Sequence, residues 1–214
     1  MWKVTTNLQR NKGRRALIET LEALGFYQYA SPDHVPGIKQ ITLETGDLFP
    51  DFPPMSLSQI VTRKKGLYKI INPEPDGTKR AYFVDSEILF EQGMKVFLEE
   101  ISPLLLSIGV RMDSLSEEAP DQKGLSVTIN GMFFQIDSKQ ELDADKPIWT
   151  RVTIRAFATV NALLAFAGSK ERLYYCMNSG NDSQGIFLTE QMYRAIQESG
   201  VIPEADIPAP TSDS

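Results

Sequence analysis

The sequence predicts an α+β fold, an antiparallel or mixed sheet built from β-hairpins, each followed by a helix, with the helices packed mainly on one face. Three hairpin signals, each with a helical period after it, carry that expectation. "LYKII" and "RAYFV" flank "NPEPDG", "LSVTI" and "FFQID" flank Asn130-Gly131, and "LYYCM" and "QGIFLT" flank "NSGND". Runs of β-branched and aromatic residues bounded by Pro, Gly, Asn and Asp are the pattern of strands joined by tight turns. Hairpins of this kind bury one apolar face, so helices are needed to cover it.

A first helix is expected from about Asn11 to Leu24, because Ala16, Leu17, Leu21 and Leu24 recur at helical spacing and Gly25 follows as a stop. Two proline-rich loops, "YASPDHVPG" and "GDLFPDFPPM", then surround an alternating piece, Ile38 to Leu43, that reads as a short strand. After the first hairpin, Asp85 or Ser86 can accept the free N–H groups of a helix running to about Ile108, with Glu87 at the positive end of its dipole. Pro103 is expected to kink that helix or split off its last turn. In the second hairpin, Asn130-Gly131 suits a primed turn, where both central residues need positive φ. Trp149 to Ala167 follows as a largely buried helix, with Ile154, Phe157, Val160 and Leu164 in phase and Gly168 as its stop. Thr189 then caps a helix from Glu190 to about Ser199. The first and third hairpins share Leu-Tyr at Leu67-Tyr68 and Leu173-Tyr174 and a closing Asn at Asn72 and Asn178, too short a match to indicate duplication. One domain is expected over residues 1–200, with a disordered, acidic and proline-rich tail at 201–214.

Composition narrows the functional classes. With 214 residues, 42% apolar and 23% charged, the chain can bury a sizeable core. Its apolar runs fall far short of the roughly 20 residues that span a bilayer, so no membrane partner is expected. "MWKVTTNLQRNKGRR" lacks the apolar segment of a secretory signal, and one cysteine permits no internal disulfide, which fits a cytoplasmic location. The net charge of -6 is uneven: residues 1–15 carry five basic side chains and no acid, leaving 17 basic against 28 acidic in the rest. Such a field disfavours phosphate backbones and anionic lipid and favours a basic protein surface, while acidity is also a common route to solubility. The short basic clusters, the amino-terminal fifteen residues and "RKKG" at Arg63 to Gly66, lack the aromatic interleaving of a nucleic-acid groove, and none is expected.

Catalytic signatures are sparse. No G-x-x-x-x-G-K-[ST], G-x-G-x-x-G or G-x-S-x-G occurs. His34 is the only histidine and lies in a loop, so any general base built on histidine would have to use it. Cys176 has no histidine or lysine nearby in sequence to lower its pKa and reads as a buried thiol. One histidine and one cysteine leave no two-histidine or thiolate zinc set. "ELDADKP" alternates Asp143 and Asp145 but lacks the glycine and final glutamate of a calcium loop. No cofactor or metal is expected. Asn181 and Asp182, after Ser179-Gly180, supply turn geometry and a polar loop of the kind that often binds partners.

These limits point to a non-enzymatic protein that binds another protein, in its concrete form an acidic inhibitor or immunity-type protein covering a basic partner. Glu117, Glu118, Asp143, Asp145, Asn181 and Asp182 are the candidate binding residues, supplying steering charge and loop contacts. One alternative is a carboxylate hydrolase, with or without a divalent ion, using a pair among Glu99, Glu100, Asp121 and Asp182. Another is a subunit of a larger assembly that docks through "LFPDFPPM".

Overall fold

A computed structural model describes residues 7–46, 48, 79–118, 124–138, 148–176 and 182–211. It is a mixed structure of six α-helices and two antiparallel sheets among these residues. They fall into two compact units, one drawn from residues 1–81 and 191–204 and the other from 82–190 and 205–214.

In the first unit, α1 (Asn7–Ala23) buries Leu17, Ile18 and Leu21 on one stripe and ends at Gly25, whose φ of 82° only glycine adopts readily. The fully buried Arg80 meets that end: Nε donates to the Phe26 carbonyl at 2.6 Å and a terminal nitrogen to the Gly25 carbonyl at 3.2 Å. Its guanidinium lies 4.6 Å from the Tyr29 ring centre, so carbonyls and aromatic faces replace water around the charge. Where a strand was expected from Ile38 to Leu43, the chain forms helix α2 (Val35–Thr45). Pro36 sits in its first turn, where a missing N–H costs nothing, and Ile38 and Thr42, one turn apart, are its buried pair. Arg14 closes the other end, donating to the Leu43, Glu44 and Thr45 carbonyls at 3.1, 2.9 and 3.0 Å. A later helix, α6 (Glu190–Glu198), buries Met192 and Ile196 at the same spacing.

The second unit builds a four-stranded sheet in the order β1-β6-β5-β7, from β1 (Ala81–Asp85), β5 (Glu171–Cys176), β6 (Asp182–Thr189) and β7 (Ala209–Pro210). A three-stranded sheet, β2 (Leu115–Glu118), β3 (Ser126–Ile129) and β4 (Met132–Gln135), is separate from it. β3 and β4 pair from Ser126 with Gln135 to Ile129 with Met132, and Asn130 and Gly131 turn between them at φ 52° and 79°. Asn130 also accepts the Asp113 and Ser114 N–H groups and donates to the Arg111 carbonyl, tying the turn to the approach to β2. β5 and β6 pair antiparallel from Glu171 with Thr189 to Cys176 with Gln184. The expected partner strand of the first hairpin, Leu67 to Ile71, lies outside the described residues, and β1 has β6 as its neighbour.

Three helices pack around these sheets. α3 (Ser86–Gln92) and α4 (Met94–Ser107) replace the one helix expected from Ser86 to Ile108. The break falls at Gly93, and Pro103 is accommodated inside α4. α5 (Ile148–Phe166) holds Phe157 fully buried, stacked on Phe97 at 5.7 Å and tilted against Tyr175 at 6.2 Å. A Cβ on Gly185 of β6 would lie 2.7 Å from that ring, so the close approach of Phe157 requires glycine there. α3 is fastened to α5 by the buried Ser86 and Thr153 hydroxyls, 2.7 Å apart, and by the edge of Phe90 against Trp149. At the end of β4, the buried Asp137 accepts from Arg151 Nε at 3.0 Å.

The segment beyond residue 200, expected as a disordered tail, carries a 3-10 turn at Glu204–Asp206 and then β7, where Tyr174 pairs with Pro210 and Tyr175 with Ala209. Asn161 of α5 holds it, donating to the Leu173 carbonyl at 2.9 Å and to Thr211 Oγ1 at 2.7 Å and accepting the Leu173 N–H. Long-range pairing overrides a composition that reads as disordered. No described helix is long and apolar enough to cross a membrane.

Candidate binding surface

The junction of β1, α3 and α4 shapes a surface pocket. Asp85 ends β1 in an extended conformation, and its Oδ1 accepts the Glu87 and Ile88 N–H groups at 2.9 and 3.2 Å, which starts α3 directly. Gly93, at φ 86° and ψ 179°, then swings the chain into α4 in a region essentially reserved for glycine. Glu117, reaching over from β2, fills the space a side chain at Gly93 would need and accepts the Met94 N–H. It takes the part of an N-cap from a distant strand.

Between these elements lies an open pocket of about 170 Å³. Its floor includes the buried Leu89 and Phe97, the latter held from behind by Phe157. Phe83, Ile88 and Val96 line it while remaining 37%, 41% and 47% exposed. Glu100, one turn beyond Val96, completes the lining, and burial of its carboxyl raises its pKa above the ordinary 4.5. Among the described residues Glu100 has no ion-pair partner, and no basic side chain lines the pocket. The stretch of sequence that contains the lining residues, 82–118, has eight acids against Lys95 and Arg111. Leu106, Phe133 and Phe166 are also exposed but do not line this pocket.

The sequence-derived candidates fare differently. Glu117 and Glu118 stand on β2, Glu117 half-buried with its carboxylate on the start of α4, Glu118 exposed. Asp143, Asp145 and Asn181 lie outside the described residues, and Asp182 opens β6, its side chain not described. Of the carboxylates considered for hydrolysis, Glu99 and Glu100 are neighbours on α4, so their side chains diverge by about 100° and do not converge on one substrate atom. Glu99 instead faces Lys95 at 3.8 Å, and Asp121 is outside the described residues. Among the described residues no three His, Cys, Asp or Glu side chains gather as metal ligands. Cys176 is buried at the end of β5, its thiol pushed up to about 12 by burial, with Asp206 adding to the effect.

Phe83, Ile88 and Val96 were not singled out from sequence. A signal exists for one of them: the buried stripe of α4 runs through Met94, Phe97, Leu98, Ile101, Leu104 and Leu105, and Val96 falls beside it as an apolar residue the core does not use. For Phe83 and Ile88, exposure depends on how separate elements meet. No family model, curated protein or solved structure matches this chain.

Proposed function

We propose that this chain is a non-enzymatic, cytoplasmic protein-binding protein, in its most concrete form an acidic inhibitor or immunity-type protein that covers a basic surface of its partner. The observation that carries this reading is the pocket of Phe83, Ile88 and Val96, whose lining includes Asp85 and Glu100 and no basic side chain. Apolar side chains gathered on a surface and rimmed by charge mark interaction sites more than scattered ones do. At about 170 Å³ the pocket is smaller than the roughly 300–1,000 Å³ typical of small-molecule sites, which favours a protein partner over a metabolite. The excess of acid in residues 82–118 supplies steering toward a basic surface.

The test compares the tagged native chain with Val96→Glu as baits in lysate of its own cells, at low salt and eluted by rising salt. One basic protein held by the native chain, released by salt and missing from Val96→Glu is expected. Capture that is equal for both baits, or no capture at all, would count against the reading.

A further inference from the structure

Resting on that protein-binding reading, we infer that the pocket takes one apolar side chain of the partner and that a lysine or arginine next to it in the partner pairs with Glu100. The volume matches the occupant. About 170 Å³ is comparable to the roughly 150 Å³ apolar cavity that admits one benzene molecule, room for one aliphatic or aromatic side chain rather than a helix face. Its walls suit that guest, since Leu89 and Phe97 close the floor and Phe83, Ile88 and Val96 present carbon at the mouth.

Charge selects what flanks the guest. Two carboxylates line the pocket, Asp85 and Glu100, and they are not equivalent. Asp85 Oδ1 is already engaged by two backbone N–H groups of α3. Glu100 has no ion-pair partner among the described residues, and its partial burial raises the cost of its charge. A cation placed beside it relieves that cost, whereas an acidic or purely apolar segment leaves it in place or worsens it. Val96 and Glu100 lie one helical turn apart on α4, so an apolar contact and an ionic contact are offered side by side on one helix face. A second copy of this chain docking through the same face is disfavoured as occupant because the only charged residues lining the pocket, Asp85 and Glu100, are acidic on each copy.

The test uses three fluorescently labelled short peptides with the full chain at low salt, read by anisotropy: a leucine flanked by lysines, the same leucine flanked by glutamates, and an alanine flanked by lysines. The lysine-leucine peptide is expected to bind at least about tenfold more tightly than either other peptide, a difference of about 1.4 kcal/mol. Glu100→Gln should weaken it several-fold, Val96→Glu should abolish it, and Glu198→Gln, an exposed acid outside residues 82–118, should leave it unchanged. Cooperative thermal melts of the variants, none with a midpoint below that of the native chain, confirm that the fold persists. Equal binding of the lysine-alanine peptide, indifference to Glu100→Gln, or no binding of any peptide would overturn the inference. If those failures occur while Val96→Glu still loses the captured partner in lysate, the protein-binding reading survives and only the anchor assignment falls. Light scattering that shows a dimer abolished by Val96→Glu would overturn it in favour of self-association.

Discussion

Glu100 concentrates the tension at this surface. Its folded carboxyl titrates above the ordinary 4.5 because burial penalises the charge. As pH rises through that value the unfolded chain gives up this proton first, so the folded state binds more protons and loses stability with rising pH. Glu100→Gln removes the loss and is expected to raise the melting temperature at about pH 7 only slightly, because the side chain is largely exposed and solvent screens most of the effect. At about pH 3, where both states are protonated, native chain and variant should melt together. An equal gain at both pH values would assign the effect to packing instead. Cys176 illustrates the opposite relation of chemistry to use, since a thiol pushed up to about 12 is a core residue and no nucleophile at neutral pH. That role was legible in the sequence from the absence of a basic neighbour. Asn130 was legible only in part: its dipeptide announced the turn, but its bonds to Arg111, Asp113 and Ser114 depend on a strand many residues away.

At the scale of elements, period decided what sequence could reveal. α1 and α5 carry long apolar stripes with glycine stops; α5 lies within one residue of its expected bounds, and α1 ends as expected but begins at Asn7 rather than near Asn11. Ile38 to Leu43 also alternates, and over six residues that alternation competes with a one-turn pair; Pro36 at the helix start and Arg14 on the closing carbonyls settle it as helix. β2 gave no local signal, because "LSEE" is a poor strand on its own and exists through its ladder with β3. The same strand explains why the break between α3 and α4 falls at Gly93, where Glu117 occupies the space beside the glycine. Gly93→Ala is expected to cost about 1–3 kcal/mol from backbone strain alone, and Glu117→Ala about 1 kcal/mol as a lost cap. Combined, the two should cost less than their sum, because removing the carboxylate makes room for the new methyl group. Strict additivity in denaturant melts would show that the two residues act independently.

At the scale of the molecule, the described residues form two compact units, and the last strand of the chain serves the larger sheet. β7 covers the outer edge of β5, an edge that would otherwise offer unpaired backbone groups to another chain. Deleting residues 209–214 removes this pairing and the Thr211 contact to Asn161. A loss of about 1–3 kcal/mol is expected from the few hydrogen bonds involved, with faster amide exchange at the Tyr174 and Tyr175 edge. An unchanged melt would exclude β7 from the cooperative unit. Composition could not foretell this strand, since Pro210 and its acidic neighbours read as disorder until β5 supplies a partner.

The shortness of β7 has a mechanical consequence. Two residues pair with β5, and the next, Thr211, is held through its hydroxyl alone, which accepts from Asn161 and donates to the Leu173 carbonyl. Tension applied to the chain beyond Thr211 would reach this contact first and then peel the ladder one pair at a time. The hairpin of β5 and β6, six pairs long, would bear load only after that release. Stretched from this end, the protein would yield in two steps, a small early extension at low force followed by the rupture of the sheet.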